Sequence, residues 1–212
     1  MNKQGFPLII SAPSGAGKTS ICYEVLRRVG SAEYSVSVTT RERRLKERDG
    51  VDYHFVEEEA FEEMIERGEL AEWARVHGHY YGTLKARLTS AMELGRVVVL
   101  DVDVQGARSL KENYPESVLI FIYPPSPSIL SERLVSRGTD SDTVIRQRLK
   151  TSPQEVENVD IYDYVVVNEN FEESVQVIVH IIEAEKHRLK RQRGFIRKYE
   201  KELTAWKEEQ QT

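Results

Sequence analysis

Residues 11–19 read SAPSGAGKT, from Ser11 to Thr19, and they separate two segments of different character. The preceding segment, Phe6–Ser11, is short and apolar, which is typical of a buried strand. The following segment, Thr19–Val29, carries apolar residues at helical spacing. Small residues between a strand and a helix let backbone N–H groups turn towards phosphate oxygens at the positive end of the helix. The pattern therefore predicts a P-loop, the alternative being a glycine-rich turn that binds nothing.

Two side chains at the end of this loop have distinct expected roles. Lys18 would reach the β- and γ-phosphates of a nucleoside triphosphate, and the Thr19 hydroxyl would ligate Mg²⁺. The sequence departs from the usual pattern only at Ala12, where the first glycine belongs. The residues that we expect to bind ATP here are Ala12, Pro13, Ser14, Gly15, Ala16, Gly17, Lys18 and Thr19.

Three further apolar segments resemble the first strand. Val97–Leu100, Val118–Tyr123 and Tyr164–Val167 are rich in β-branched residues and are separated by helical segments. Such strands belong in a parallel sheet covered on both faces, so the predicted class is α/β, a P-loop NTPase-type parallel sheet flanked by helices. Asp101 follows the Val97–Leu100 strand, where a carboxylate faces the Mg²⁺-phosphate site. A strand-end aspartate that only starts a turn is the alternative.

Two insertions interrupt the alternation of strands and helices. We assign residues 1–33, 91–126 and 163–212 to the core domain. Residues 34–90 contain alternating segments at Ser35–Thr39 and Tyr53–Val56, so we expect a small mixed α/β insert with a partly antiparallel sheet. Residues 127–162 follow a run of prolines and are basic and mostly helical in pattern, which indicates a mobile lid.

The composition excludes several classes of protein. The 212 residues include 30 Lys and Arg against 35 Asp and Glu, a net charge of −5 that argues against bulk binding to nucleic acid or membrane surfaces. The single cysteine, Cys22, excludes an internal disulfide framework. We see neither a signal peptide nor a membrane-spanning segment and expect a cytoplasmic protein. The basic stretch Lys186–Lys198 is interpreted as a solvated helix face, with a nucleic-acid contact as the alternative.

Arginines in both insertions are candidates for phosphate binding. In the first insertion Arg41 and Arg44 could hold a second, accepting phosphate, with Tyr53 and Tyr81 as neutral donors. Arginines of the second insertion could neutralise the transferring phosphoryl group; they are Arg133, Arg137 and Arg148. A solvated basic loop and ordinary helix-surface charge are the respective alternatives. Trp73 is expected in the core.

Several segments, taken in order, are similar to those of one enzyme family. They read SAPSGAGKT, SVSVTTR, DYHFV, EWARVHGHYYGT, LDVDVQGA, PPS, RLVSRGTDSD and VVVNEN. From Leu8 to about Lys186 the chain resembles the guanylate kinases. The resemblance implies transfer of the γ-phosphoryl group of ATP to GMP, giving ADP and GDP, in purine nucleotide metabolism. It also implies Mg²⁺ held through Thr19 and Asp101, partly through water.

The resemblance also assigns individual residues. The guanine would be surrounded by Ser37, Glu72, Thr83 and Asp103, and the GMP phosphate would be held by Arg41, Arg44, Tyr53 and Tyr81. Catalysis would rest on Lys18, Arg44, Arg137 and Arg148, while Arg133 and Asn168 would lie beside ATP, Asn168 near its adenine. Arg43 and Lys46 stand where many relatives have proline and glycine.

The chemistry of guanine agrees with the assigned base-reading residues. A carboxylate at Glu72 can accept from N1–H and from the 2-amino group, and the Ser37 and Thr83 hydroxyls can donate to O6. Adenine lacks those donors, so we expect GMP to be preferred over AMP by at least about tenfold to a hundredfold. The rival interpretations are a peptide-binding module of guanylate-kinase-like fold and a P-loop kinase with another acceptor. The sequence leaves open whether the protein is a monomer or a homo-oligomer.

Overall fold

The computed structural model describes residues 4–13, 15–76, 78–136 and 159–210. Ser14, Arg137 and Arg148 from the predicted site, and most of the predicted lid, lie outside these residues. In chain order the elements are β1 (Phe6–Ser11), α1 (Lys18–Arg28), β2 (Ala32–Tyr34), β3 (Val38–Thr39), β4 (His54–Phe55), α2 (Glu58–Glu66), β5 (Leu70–Val76), β6 (His79–Leu84), α3 (Lys85–Glu93), β7 (Val97–Asp101), α4 (Val104–Asn113), β8 (Val118–Tyr123), α5 (Pro127–Ser136), β9 (Tyr164–Val167), α6 (Phe171–Lys186) and α7 (Arg193–Glu209), with short 3-10 helices at Val159–Ile161 and Leu189–Arg191.

The larger sheet has five strands among the described residues, in the order β2-β7-β1-β8-β9. Every pairing is parallel, which confirms the α/β class. The edge strand β2 has no counterpart in the sequence prediction, because three half-buried residues of mixed polarity give no periodic signal. Since all strands point the same way, the ends of β1, β7, β8 and β9 meet at one edge, on either side of β1, where ligands bind in such sheets.

Two apolar layers cover this sheet and explain why its strands are apolar throughout. On one face, Ile21 and Val25 of α1 and Ile178 of α6 pack against β1 and β8. On the other face, Leu88 of α3 and Leu110 of α4 pack against neighbouring strand residues. Each fully buried aliphatic side chain stabilises the fold by about 1.5–3 kcal/mol. These layers fix the carboxyl edge of the sheet, where the predicted site residues lie.

The smaller sheet, of order β4-β3-β6-β5, is built from residues 38–84. β3 pairs parallel with β4 and antiparallel with β6, which itself is antiparallel to β5. The strand predicted for Ser35–Thr39 is shorter than expected and covers only Val38–Thr39. The reason is that the Ser35 N–H donates to the Val99 carbonyl at 3.0 Å and so extends the edge of the larger sheet. Residues 35–37 therefore cross from one sheet to the other.

One face of the smaller sheet is covered by α2. A Cβ at Gly82 would lie 3.0 Å from the Phe61 ring, so the absence of a side chain lets the helix approach β6 closely. Trp73 is not in the core: it is 45% exposed and meets Tyr80 edge-on. Strand alternation explains this result, because Glu72 and Ala74 on either side of Trp73 are buried.

The C-terminal region docks through an unexpected buried ion pair. Arg191 is only 3% exposed, lies 3.2 Å from Glu185, donates to the Glu116 carbonyl at 2.9 Å and covers the ring of Phe6. The basic stretch is thus not simply a solvated face, because Arg191 is an anchor to the core. None of the helices formed by the described residues combines the length and apolar character needed to cross a membrane.

Candidate nucleotide-binding site

The loop between β1 and α1 has the backbone that the sequence predicts. Gly15 and Gly17 have φ angles of +97° and +92°, which only glycine adopts readily. The Ala16 N–H donates to the Pro13 carbonyl at 3.0 Å and closes the turn. A Cβ at Gly17 would lie 2.8 Å from the Asn168 amide nitrogen, so this position needs glycine for space as well.

Helix α1 begins directly after this loop. Gly17 is its N-cap, so no side chain caps the first N–H groups, and no acidic residue lies in the first turn. The first four N–H groups of a helix have no partner within the helix, and together with the helix dipole they attract anions. This end of α1 therefore suits a phosphate chain.

Lys18, Thr19 and Asp101 form a connected group at the carboxyl edge. The Lys18 ammonium lies 2.5 Å from Asp101 and donates to the Val102 carbonyl at 3.2 Å. The Thr19 hydroxyl donates to Asp101 at 3.2 Å. Burial would lower the pKa of Lys18, but the charge of Asp101 and the hydrogen bond to it outweigh burial and hold this pKa above its usual value. Lys18 is thus a cation at every physiological pH.

The donor set here fits Mg²⁺. Thr19 and Asp101 offer hydroxyl and carboxylate oxygens, the hard ligands that Mg²⁺ prefers. Within the described ranges no group of three or more His, Cys, Asp or Glu side chains could hold a metal by itself. Mg²⁺ usually takes one or two protein ligands and completes its shell with phosphate and water, so this sparse set suits a metal carried by a nucleotide.

The predicted base-reading residues form a row across the smaller sheet. Glu72 of β5 pairs with Thr83 of β6, and the register of β3 and β6, extended by one residue, sets Ser37 opposite Thr83. Residues opposite each other in antiparallel strands project to the same face. All three are buried. Strand pairing therefore brings Ser37 and Glu72, which are 35 residues apart in the sequence, into the same row.

Glu72 is a buried carboxylate without a cation. It is 5% exposed and accepts from the Thr83 hydroxyl at 2.6 Å; among the described residues no Lys or Arg pairs with it. Burial raises its pKa to about 7, the Thr83 hydrogen bond opposes this shift, and the charge of Asp103 adds to it. The Thr83 proton is directed to Glu72, whereas the sequence predicts donation to guanine O6. Thr83 orients the carboxylate in this arrangement.

Asp103 and Gly106 define the wall beside Glu72. Asp103 is the N-cap of α4 and accepts from the Gly106 N–H at 2.9 Å. A Cβ at Gly106 would lie 2.9 Å from Glu72 Oε2. The sequence pattern singles out Asp103 but not Gly106, because a glycine inside a helix gives no sign of the side chain that approaches it.

The predicted phosphate-binding side chains cluster two residues further along β6, about 7 Å from the row. The rings of Tyr53 and Tyr81 meet edge-on at 6.0 Å, and the Arg41 guanidinium lies 5.5 Å from the centre of the Tyr53 ring. Burial, reinforced by the charge of Asp101, raises the pKa of Tyr53 to about 12, so its hydroxyl remains a neutral donor. Arg44 is exposed on the same loop.

Asn168 and Arg133 lie against the P-loop. The Asn168 amide donates to the Ala16 carbonyl at 2.8 Å, and Arg133 donates to the Asn168 carbonyl at 3.2 Å. Leu134 of α5 would be 3.0 Å from a Cβ at Gly15. The root of the second insertion therefore packs directly on the phosphate loop. The proximity of Asn168 to adenine stays a prediction.

The site defines a P-loop nucleotide kinase. It combines a glycine-bent loop before a helix, a carboxylate at the end of the neighbouring strand and a polar row on an inserted sheet.

Residues 4–185 match the family model described as guanylate kinase. The guanylate kinase of Thermotoga maritima is 46% identical over 204 residues, covering 96% of this chain and 99% of the relative. That of Syntrophotalea carbinolica is 48% identical over 194 residues, covering 92% of each. The crystal structure of guanylate kinase from Anaplasma phagocytophilum superposes with a TM-score of 0.77 at 35% identity, covering 90% of each chain. The chain belongs to the guanylate kinase family.

Proposed function

We propose that this chain transfers the γ-phosphoryl group of ATP to GMP, giving ADP and GDP, and so serves purine nucleotide metabolism. The single observation that carries the choice of acceptor is the buried carboxylate of Glu72, which pairs with no Lys or Arg among the described residues. An uncompensated buried charge is costly, and a ligand that brings hydrogen-bond donors to it recovers that cost on binding. Membership of the guanylate kinase family supports the same acceptor.

Guanine meets the needs of this carboxylate. Its N1–H and 2-amino group are adjacent donors on one edge, which matches the two oxygens of Glu72. The Thr83 hydroxyl orients the carboxylate by donating to Oε1, and Ser37 supplies a further hydroxyl for O6. Adenine would place an unprotonated nitrogen against Glu72 and leave the carboxylate without donors. The expected discrimination is at least about tenfold to a hundredfold.

The acceptor phosphate then lies towards Arg41, Arg44, Tyr53 and Tyr81, which provide charge and neutral donors. An oxygen of the GMP phosphate forms a bond to the γ-phosphorus, and the bond from that phosphorus to the bridging oxygen of ADP breaks. The nucleophilic oxygen is already anionic near neutral pH, so no general base is required. Catalysis is therefore positioning and charge neutralisation.

Charge neutralisation on the donor side falls to Lys18 and the N-terminus of α1. Thr19 and Asp101 would hold Mg²⁺, which supplies charge to the β- and γ-phosphate oxygens when bound. The ion pair with Asp101 holds the Lys18 ammonium at the carboxyl edge of the larger sheet, beside the phosphate loop. Arg137 and Arg148 are expected to neutralise the transferred group.

The test is an ADP-release assay with Mg-ATP and, in parallel, GMP, dGMP, AMP, UMP or CMP. We expect strong turnover with GMP, weaker turnover with dGMP and little with the others. Glu72→Gln should lower kcat/KM for GMP by about tenfold to a hundredfold, since the amide cannot accept twice from guanine.

The control is Glu69→Gln, which removes the same charge one residue before β5 from a half-exposed side chain. It should behave as the unmodified protein. Turnover of AMP as fast as GMP, or no turnover by a folded protein that binds ATP, would contradict the proposed function.

A further inference from the structure

The loop that carries Arg41 and Arg44 is organised by a third charged residue. Both carboxylate oxygens of Glu47 accept from Arg41 Nη2, Oε1 at 2.8 Å and Oε2 at 3.0 Å. The two side chains are only 15% and 17% exposed, so this is a partly buried pair and not a contact between two flexible surface groups. Such pairs are less screened by solvent than surface ion pairs.

The same carboxylate also fixes the backbone at Arg44. Glu47 Oε2 accepts from the Arg44 N–H at 2.9 Å, while the Glu47 N–H donates to the Arg44 carbonyl at 3.0 Å. These reciprocal bonds close the turn at residues 44–47. Neither Arg43 nor Lys46 is a proline or glycine, so the turn lacks a residue whose backbone favours it by itself. Glu47 supplies the constraint through its side chain.

The contacts of Arg41 leave a defined part of its guanidinium available. Nη2 is directed to Glu47, and Nη1 donates to the Glu42 carbonyl at 2.7 Å. Of the five N–H donors, the Nε–H and one Nη1–H have no carboxylate or carbonyl partner in these contacts. The Tyr53 and Phe55 rings lie 5.5 and 5.9 Å from the guanidinium carbon and hold its plane. Glu47 thus engages both N–H groups of Nη2, and the Tyr81 side chain also forms a hydrogen bond with this guanidinium.

An acidic group so near a phosphate site could act in either of two ways. As a competitor it would neutralise Arg41, and its removal would tighten the binding of an anion. As an organiser it would hold the Arg41 side chain and the Arg44 backbone in place before the anion binds. Its removal would then weaken the binding of that anion. The geometry favours the organiser, because Glu47 engages only Nη2 of Arg41 and also accepts from the Arg44 N–H, which a competing anion would not do.

We propose that Glu47 is a positioning residue for the acceptor phosphate, acting through the Arg41 guanidinium and the turn at Arg44. This inference rests on the proposed function, since it takes the phosphate of GMP as the anion that the loop binds. Holding the Arg41 side chain and the turn at Arg44 in advance lowers the entropic cost of binding.

The first test compares Glu47→Gln with Glu42→Gln in the full chain. Glu42 is an exposed acid in the same loop, so its substitution removes the same charge. We expect Glu47→Gln to raise KM for GMP by about tenfold while kcat and KM for ATP change by less than about twofold. Glu42→Gln should leave KM for GMP unchanged or slightly lower. An unchanged or lower KM for GMP in folded Glu47→Gln would overturn the proposal.

The second test separates the phosphate from the base by calorimetry. Glu47→Gln should weaken the binding of GMP but not of guanosine, which lacks the phosphate. In the Arg41→Met background, Glu47→Gln should weaken GMP binding by less than it does in the unmodified protein, because the two side chains act as a unit. Equal losses for guanosine and GMP, or full additivity with Arg41→Met, would contradict positioning through Arg41.

A third variant guards against misfolding. Glu47→Asp keeps the charge but is too short to reach Arg41 and the Arg44 N–H together, so its affinity for GMP should lie between those of the unmodified protein and Glu47→Gln. If the unmodified chain binds GMP without turning it over, the proposed function fails while the calorimetric tests of Glu47 still hold. If it does not bind GMP, both are overturned.

Discussion

Two carboxylates of this protein, one largely buried and one fully buried, differ in their partners. Asp101, at the end of β7, pairs with Lys18 at 2.5 Å and accepts from the Thr19 hydroxyl. Glu72, in β5, accepts only from Thr83 among the described contacts, and its pKa rises to about 7 because of burial. The charge of Asp103 raises the pKa of Glu72 further. One carboxylate is neutralised within the protein and the other is not.

The difference corresponds to what each region must recognise. The phosphate loop binds a group common to all nucleotides, so its lysine can be positioned by an internal anion. Recognition of one base needs a polar group whose requirements only the correct ligand meets. Because the pKa of Glu72 in the folded chain lies above its usual value of 4.5, its stabilising contribution is present at low pH and is lost as the pH rises through about 7. Under the proposed function, base selectivity by Glu72 costs stability near neutral pH.

The largest expected effect comes from removing the Lys18 cation that pairs with Asp101. Lys18→Met should lower kcat/KM by at least about 10³-fold, since it removes the cation that we propose neutralises the transferring phosphoryl group. It should also destabilise the fold by up to about 3 kcal/mol, because the largely buried Asp101 loses its cation and keeps only the Thr19 hydroxyl. Steady-state kinetics and thermal unfolding measure the two effects.

Lys111→Met is the matched control for this change. Lys111 pairs with Asp163 at 3.0 Å and with the Ser117 carbonyl at 2.8 Å, at the amino edge of the larger sheet and away from the site. Its substitution should affect unfolding but leave kcat/KM within about twofold of the unmodified value. If Lys18→Met retained activity within tenfold, a catalytic role for Lys18 would be excluded.

A smaller effect is expected at the wall of the base-reading region. Gly106→Ala places a methyl group 2.9 Å from Glu72 Oε2 and 3.3 Å from Asp103 Oδ1, so the carboxylate must move. We expect KM for GMP to rise by about threefold to tenfold with little change in kcat. Helix α4 should persist, since alanine is the better helix former by about 1 kcal/mol.

Gly30→Ala provides the comparison, because nothing lies within 4 Å of a Cβ there and its φ is not in the left-handed region. It should leave KM for GMP unaltered. Equal kinetics for the two alanine variants would mean that the Glu72 carboxylate tolerates displacement and that its position is not specified by α4.

The sequence predicts best the elements whose signal is local. The phosphate loop and the strands Phe6–Ser11, Val118–Tyr123 and Tyr164–Val167 are found at the predicted residues, because apolar runs and glycines at fixed spacing report on their own backbone. Ser35–Thr39 is only partly a strand of the smaller sheet, since the backbone of its first residue is hydrogen-bonded to the edge of the larger sheet. Competition between two sheets for one segment is not visible in the segment itself.

Contacts between distant residues are the part that the sequence does not provide. The resemblance points to Glu72, Ser37 and Thr83, but neither it nor the residue pattern shows that Thr83 donates to Glu72 or that Gly106 approaches the carboxylate. Glu47 has no local signal either, because an acid among arginines is ordinary in a charged loop. Its importance follows only from the two arginine contacts that folding brings together.

The pKa of Glu72 tests the central claim most directly. Titration of its side-chain carboxyl carbon by ¹³C NMR, assigned with Glu72→Gln, should give a value near 7 in the protein alone. Saturating GMP should lower this pKa by at least about one unit, since the guanine donors favour the ionised form. A value near 4.5 in the protein alone, or no shift on adding GMP, would contradict an uncompensated carboxylate that reads the base.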